Sequence, residues 1–210
     1  MNSAHWISVL YGSTSILSGI AAKIVKITDV ITVNKQNDTI NEILFYGSDN
    51  EEQNKKVGLN NLFCIYYIII HASKTVDVCV PTLRSETISK CLLNVHQKNH
   101  AKVRIIVHSS KDLVYLQSFL DCGIEVKIIN SEVKMEHEFL LIDENCHDAL
   151  AIVGSLDYEV NRVNCSRDNT LLTSEYALVS VLKREFDRIW NCNDNVEKGY
   201  NSQVNKQKSV

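Results

Sequence analysis

Residues 75–110 read TVDVCVPTLRSETISKCLLNVHQKNHAKVRIIVHSS, and this stretch holds a strand, a helix and a second strand in succession. The mostly apolar runs at 75–83 and 102–110 are typical of strands buried on both faces. Between them, apolar residues recur at helical spacing after Ser85, which is placed to cap the helix. The apolar positions are Ile88, Cys91, Leu92 and Val95. Two such strands joined by a helix predict parallel neighbours in one sheet.

Further elements flank this unit on both sides. In chain order they are a strand at 42–47, a charged loop at 48–58, a buried helix at 59–73, a helix at 112–123, a strand at 124–130, a hairpin of 135–143 and 149–155, a strand at 169–174, and a helix at 174–190 capped by Ser174. The alternation predicts one α/β sandwich at residues 42–192, with a mixed, largely parallel sheet flanked by helices.

The bulk composition excludes several classes of protein. The net charge of −3 does not suit a general binder of polyanions, and 45% hydrophobic residues place the chain in the globular range. None of the seven cysteines forms a C-x-x-C pair, so the sequence carries no zinc signature and indicates reduced, mostly buried thiols.

The two ends of the chain differ from its middle. Residues 6–22 carry no charge and precede Lys23 and Lys26, so residues 1–28 are predicted to be a membrane anchor with the rest of the chain on the cytoplasmic side. The alternative is an amphipathic or loosely packed helix. Residues 29–41 are predicted to be a polar linker, and residues 193–210 a polar tail.

The clearest chemical signal lies at residues 134–143, KMEHEFLLID, followed by VGSLDY at 153–158. A histidine, acidic residues and a Gly-Ser turn this close together suggest a phosphoryl-transfer site. The whole set of stretches, taken in order, resembles the phospholipase D superfamily, and within it the mitochondrial cardiolipin hydrolases of the Zucchini type. The pieces that carry the resemblance are EILFYGS, TVDVCVPTL, KVRIIVHSS, CGIEVKI, FLLID, GSLDY, SRDNTLLTSE and EFDRIW.

The motif of that family is His-x-Lys, four residues, Asp, and then Gly-Ser-x-Asn. With the FLLI run fixing the register, Glu136 stands at the His position, Glu138 at the Lys position and Asp157 at the last Asn position. The matching positions are Asp143, Gly154, Ser155 and Asn169. The interval between Asp143 and Gly154 is long for the family, which predicts a longer hairpin turn.

These departures bear directly on catalysis. In the family, the His attacks phosphorus, the His of a second subunit acts as general acid, and the Lys neutralises phosphate oxygens. Carboxylates at Glu136 and Glu138 invert that charge, although oriented cations usually contribute more to phosphoryl transfer than any other group. No intact catalytic set is therefore predicted. Strand alternation directs His137 to the other face unless a bulge intervenes, and His147 is predicted to be an exposed turn residue.

Three functional hypotheses follow from the resemblance. The first is a catalytically inactive, membrane-anchored binding or dimerisation module. The second is an active phosphodiester hydrolase acting on cardiolipin or on single-stranded RNA in piRNA biogenesis, so enzymatic activity stays an open question. The third is oxygen-only binding of calcium, magnesium or manganese by paired carboxylates, against which a solvated acidic groove is preferred; no metal or cofactor is predicted.

The resemblance also implies a setting and a partner. It places the chain on the mitochondrial outer membrane with its domain facing the cytosol, paired with itself or with an active paralogue. A groove for phosphate should be lined by basic residues, so their positions test the second hypothesis. The candidates are Lys102, Arg104, Lys111, Arg162 and Arg167.

Overall fold

The computed structural model of the chain describes residues 39–47, 51–108, 116–154 and 165–192. These ranges contain seven strands and four helices. The strands are β1 Asn41–Tyr46, β2 Thr75–Val80, β3 Lys102–His108, β4 Glu125–Ile129, β5 Phe139–Ile142, β6 Leu150–Gly154 and β7 Asp168–Thr173. The helices are α1 Glu51–Ile70, α2 Glu86–Asn99, α3 Gln117–Asp121 and α4 Tyr176–Asn191.

The strands form a single mixed sheet in the order β1-β7-β6-β5-β2-β3-β4. Strands β2, β3 and β4 are parallel, and the remaining pairings are antiparallel. The predicted α/β sandwich with a mixed sheet is confirmed, as is the hairpin formed by β5 and β6. The sheet is not largely parallel as predicted, because four of its six strand pairings are antiparallel. Ser85 caps α2 as predicted, because its Oγ accepts from the N–H of Ile88 at 3.1 Å.

Each face of the sheet has its own hydrophobic core. One core packs α1 and α2 against the sheet through residues such as Ile65 and Leu92. The other lies under α4, where Phe186 packs with Phe139 and Leu141 of β5. Alternation along β5 sends Leu140 and Ile142 to the first core and Phe139 and Leu141 to the second, as expected of a strand buried on both faces.

Charged side chains fix α4 on the sheet as well. Asp77 of β2, only 1% exposed, accepts two hydrogen bonds from the Arg104 guanidinium at 2.7 and 2.5 Å. That guanidinium lies over the rings of Phe186 and Trp190, 4.8 and 5.3 Å from their centroids. Lys127 of β4 donates to the carbonyl oxygen of Trp190 at 2.8 Å and so satisfies the carboxyl end of the helix.

Several predicted boundaries were wrong. Helix α1 begins at Glu51, inside the stretch predicted to be a charged loop. Helix α3 ends at Asp121 rather than at the predicted 123, and the start of the predicted 112–123 helix lies outside the described residues. The strand predicted at 135–143 is limited to Phe139–Ile142. Ser174 does not cap α4: its Oγ accepts from the N–H of Ile40, while Glu175 occupies the cap position without a side-chain bond.

The predicted anchor at 1–28, most of the linker at 29–41 and the tail at 193–210 lie outside the described residues. Within the described ranges, no helix is long and apolar enough to cross a bilayer. Of the seven cysteines, Cys64 and Cys79 are buried, Cys165 is exposed, and the other four are partly exposed.

Candidate functional site

One edge of the sheet, called here the motif edge, gathers most of the described motif positions. The carboxyl end of β6 and the amino ends of β5 and β7 meet there because the three strands are antiparallel neighbours. The N–H of Gly154 donates to the carbonyl oxygen of Glu138 at 2.9 Å, and Gly154 pairs with Thr170, next to Asn169. Glu138, Gly154 and Asn169 are therefore brought together, while Ser155 and Asp157 lie outside the described residues.

Gly154 is required by the close approach of β6 and β7 at this edge. Its φ of +129° lies in a region that L side chains rarely adopt. A Cβ added to Gly154 would meet the carbonyl oxygen of Asn169 at 2.6 Å. The glycine of the Gly-Ser turn thus serves strand packing in this chain.

Asp143 does not lie at the motif edge. It follows the other end of β5, so it stands about 17 Å along the strand from Glu138 at roughly 3.4 Å per residue. Its φ of +50° turns the chain out of the strand. Its Oδ2 accepts from the N–H and hydroxyl of Ser73 at 2.8 and 2.9 Å, and its Oδ1 accepts from the N–H groups of Lys74 and Thr75 at 2.7 and 2.9 Å.

These bonds make Asp143 an anchor between the β5–β6 turn and the turn that leads into β2. Burial acts to raise the pKa of the Asp143 carboxyl, but the N–H groups of Ser73, Thr75 and Lys74 and the Ser73 hydroxyl outweigh it. The pKa therefore lies below its usual value. A carboxylate held ionised by four donors, away from the motif edge, has a structural role in the described fold.

Glu136, His137 and Glu138 precede β5 rather than belonging to it. Glu136 is exposed and Glu138 is partly exposed. The imidazole of His137, 47% exposed, lies on the α4 side, where its Nε2 is 3.0 Å from Oε1 of Glu185. The same carboxylate accepts two bonds from the Arg188 guanidinium at 2.8 Å.

Sequence reasoning missed Glu185 and Arg188 as neighbours of His137. Their i, i+3 spacing on α4 was visible, but it is common on solvated helix faces and points to no particular strand. The Arg188 hydrogen bonds lower the pKa of the Glu185 carboxyl, with a smaller contribution from His137. The carboxylate is thus ionised and able to orient the imidazole.

The basic candidates are spread across the fold. Arg104 is held under α4 by Asp77, and Lys102, at the start of β3, pairs with Glu125 at 2.9 Å on the edge opposite the motif. Arg167 precedes β7 and lies at the motif edge. Lys111 and Arg162 lie outside the described residues. Of the three described candidates, only Arg167 is therefore placed near Glu138.

No group of three or more His, Cys, Asp or Glu side chains in the described ranges is arranged to hold a metal ion. His147, predicted to be an exposed turn residue, has a side chain that is 97% exposed beside Asp148. The arrangement at the motif edge offers carboxylates, Arg167, and an imidazole oriented by Glu185, whose carboxylate also accepts from Arg188.

Comparison with known proteins gives a consistent picture. Residues 65–190 match a family model described as cardiolipin synthase, PLD-like domain. The mitochondrial cardiolipin hydrolase of Chlamydomonas reinhardtii is 28% identical over 124 residues, which are 57% of this chain and 52% of the relative. The human enzyme of that name is 25% identical over 127 residues, 58% and 48% of the two chains. The chain spans about half the length of these curated relatives.

Solved structures share the fold. Nuc of Salmonella typhimurium, a phospholipase D family member, superposes with a TM-score of 0.57 at 11% identity and covers 73% of this chain and 95% of its own. NucT of Helicobacter pylori gives 0.53 at 16% identity and covers 72% and 95%. At these identities, the likeness concerns the arrangement of the sheet and helices.

Proposed function

The chain belongs to the PLD-like domain family, and we propose that it is a cardiolipin hydrolase-like protein that binds or pairs with other chains without hydrolysing phosphodiesters. The observation that supports this proposal is the chemistry of the motif edge. Glu136 and Glu138 stand at the positions that the family resemblance assigns to the nucleophile and the phosphate-binding cation. A phosphodiester is already anionic, so two carboxylates there oppose both its approach and the charge that develops during transfer.

The nearby cations do not offset those carboxylates. Arg104 forms an ion pair with Asp77 under α4, and Lys102 forms an ion pair with Glu125 at the opposite edge of the sheet. Arg167 at the motif edge is flanked by Asp168, the first residue of β7. The described part of the edge therefore favours a binding role over phosphoryl transfer.

A hydrolysis assay on cardiolipin vesicles and on single-stranded RNA tests the proposal. We expect no turnover by the natural protein, none with Glu136→His alone, and recovered turnover with Glu136→His plus Glu138→Lys, increased by Asp157→Asn. The matched control is Glu125→His plus Asp148→Lys, which makes the same charge change at exposed positions on the opposite edge. Turnover by the natural protein that disappears in Glu136→Ala would refute the proposal.

A second candidate is a hydrolase that uses His137. The observation that favours it is the 3.0 Å contact between His137 Nε2 and Glu185 Oε1, because a carboxylate that orients an imidazole is the usual support of a catalytic histidine. This candidate predicts turnover that is lost in His137→Ala and kept in Glu136→Ala, which separates it from the first.

We also propose a membrane setting. The relatives are named mitochondrial, and the uncharged run at 6–22 before Lys23 and Lys26 suits an anchor that leaves the domain in the cytosol at the outer membrane. Deleting residues 1–28 should release the protein from mitochondria into the cytosolic fraction. Unchanged membrane association after that deletion contradicts the anchor.

The partner proposed for this protein is a second chain at the motif edge, either another copy or an active paralogue. A second copy brings its own Glu136 and Glu138 toward the first pair, whereas a paralogue with His and Lys there brings complementary charge. Co-purification from cells that express both chains distinguishes the two. A stronger yield of the mixed pair assigns the motif edge to a paralogue, and a stronger yield of the self-pair assigns it to a second copy.

A further inference from the structure

Helix α4 leaves one margin of its face of the sheet uncovered. Ile43 of β1 lies opposite Leu171 of β7 in the strand register. The row continues through Val153 to Phe139, both of which pack under α4, and residues opposite each other in an antiparallel pair share a face. Exposure rises along the row from 2% at Phe139 to 56% at Ile43, and Phe45 in the same strand reaches 66%. Ile43 and Phe45 therefore form an exposed apolar strip, called here the β1 strip.

The β1 strip adjoins an unpaired strand edge. The N–H of Ser174 donates to the carbonyl oxygen of Ile40, so the backbone groups of Ile40 face β7. Backbone groups alternate along an antiparallel strand, and those of Asn41, Ile43 and Phe45 therefore face away from β7. Across the described ranges, β1 is the last strand on its side of the sheet, and no strand pairs with these groups. An edge of this kind is a template for another strand.

The edge of β1 is complementary to a second copy of itself. Two identical strands can pair in antiparallel fashion about a two-fold axis. With the axis at Ile43, that residue lies opposite its own copy, and Asn41 lies opposite Phe45. All three outward-facing residues then occupy hydrogen-bonded positions, in which each strand gives an N–H and a carbonyl to every pair. The Phe45 carbonyl also accepts from the Asn61 amide at 3.3 Å, and a carbonyl oxygen can accept a second bond.

The charges on β1 favour this register. Glu42 is the only charged residue of the strand. With the axis at Ile43, each Glu42 lies opposite the partner's Leu44, whereas an axis at Glu42 would set two like charges directly opposite each other. On the α4 face, the β1 strips of the two copies then lie side by side, so each covers apolar surface that a single copy exposes to water.

We propose that β1 pairs with β1 of a second copy about a two-fold axis at Ile43, which joins two seven-stranded sheets into one continuous sheet. Because the two strands run in opposite directions, the motif edges of the two copies point in opposite directions as well. Each motif edge stays open to a partner chain of its own. The β1 interface is therefore separate from the motif edge and does not depend on the acidic residues there.

Amide hydrogen exchange on the full-length chain tests the proposal, with resolution of single amides in β1. The amides of Asn41 and Phe45 face outward and report the pairing, while the amide of Leu44 faces β7 and serves as the internal control. Once the dimer predominates, a tenfold rise in protein concentration should slow exchange at Asn41 and Phe45 about threefold, because the monomer fraction falls with the square root of concentration. Exchange at Leu44 should not change with concentration.

Two variants locate the interface. Ile43→Lys sets two like charges side by side on the two-fold axis and should abolish the concentration dependence. The matched control is Val133→Lys, which makes a similar change at a residue that is 79% exposed and lies between β4 and β5, at the motif edge. This control should keep the concentration dependence of the natural protein.

Each other result overturns the proposal. Exchange at Asn41 and Phe45 that does not change with concentration shows a bare edge if it is fast, and an edge covered by the same chain if it is slow. A concentration dependence that survives in Ile43→Lys places the pairing elsewhere, and its loss in Val133→Lys alone assigns the pairing to the motif edge. Its loss in both variants shows an interface that is not confined to β1. The amide of Ile105, central in β3, reports global stability and should exchange equally in all three proteins.

Discussion

Replacing Asp143 tests whether this motif residue serves the fold or the chemistry. In Asp143→Asn, the positive φ of +50° remains acceptable, because Asn adopts that region more readily than most residues. The amide keeps one oxygen for the N–H groups of Lys74 and Thr75, but its NH₂ cannot accept from Ser73. Hydrogen bonds to charged groups contribute about 1.5–3 kcal/mol each, so losing the charge and the two Ser73 bonds should cost roughly 2–4 kcal/mol, toward the lower end because Ser73 is exposed to water.

The assay is urea unfolding of the full chain, followed by tryptophan fluorescence, with Asp148→Asn as the exposed control in the same turn. The destabilisation should depend on pH with a defined sign. Because the folded pKa of Asp143 lies below the unfolded value of 3.8, its contribution is fully present above pH 3.8 and is lost as pH falls toward the folded pKa. An Asp143→Asn variant within about 0.5 kcal/mol of the natural protein, the range typical of surface changes, would refute the anchor role.

Other expectations follow from the same contacts. Arg104→Met leaves Asp77 buried without its partner and should cost about 3–5 kcal/mol at neutral pH. Burial raises the pKa of Asp77, so this loss should shrink as acid protonates it; a loss independent of pH in denaturant titrations contradicts the ion pair. Gly154→Ala should destabilise by roughly 1–3 kcal/mol in thermal unfolding, and more than Gly123→Ala, whose added Cβ meets nothing within 4 Å; equal losses would show that the contact of β6 with β7 relaxes freely. If copies pair through the motif edge, sedimentation should show a weaker dimer at neutral pH, where the facing carboxylates are ionised and repel each other, than in acid, and a monomer at every pH would remove the pairing.

The sequence predicted correctly those helices and strands whose apolar residues follow an uninterrupted pattern. The helix after Ser85 was found because its apolar side chains recur at the helical period. Its two flanking strands were found because short continuous apolar runs are typical of strands buried on both faces. Helix α1 was started too late because Glu51–Lys56 is polar and carries no such period, although Glu, Gln and Lys are good helix formers. Ser174 was assigned as a cap from its residue type, but the start of β1 competes for its hydroxyl.

The grouping of the candidate site residues could not be predicted from the sequence. The family resemblance assigns Glu136 and Glu138 to motif positions by residue counting alone. The separation of Asp143 from them required knowing where β5 ends, and the contact between His137 and Glu185 required knowing which face α4 covers. Both depend on tertiary packing, which a local pattern does not encode.

The positions that match the family motif and the positions that depart from it differ in their physical roles. Asp143 holds a turn with four hydrogen bonds, and Gly154 allows two strands to approach, so a change at either position costs stability whether or not the protein catalyses anything. Glu136 and Glu138 precede β5 and are at least partly exposed, so side chains there can change charge at little cost to the fold. A chain that no longer needs to hydrolyse phosphodiesters would therefore keep Asp143 and Gly154. It could lose the family residues at positions 136 and 138. The family resemblance implies this combination here, and the combination agrees with the proposed binding role.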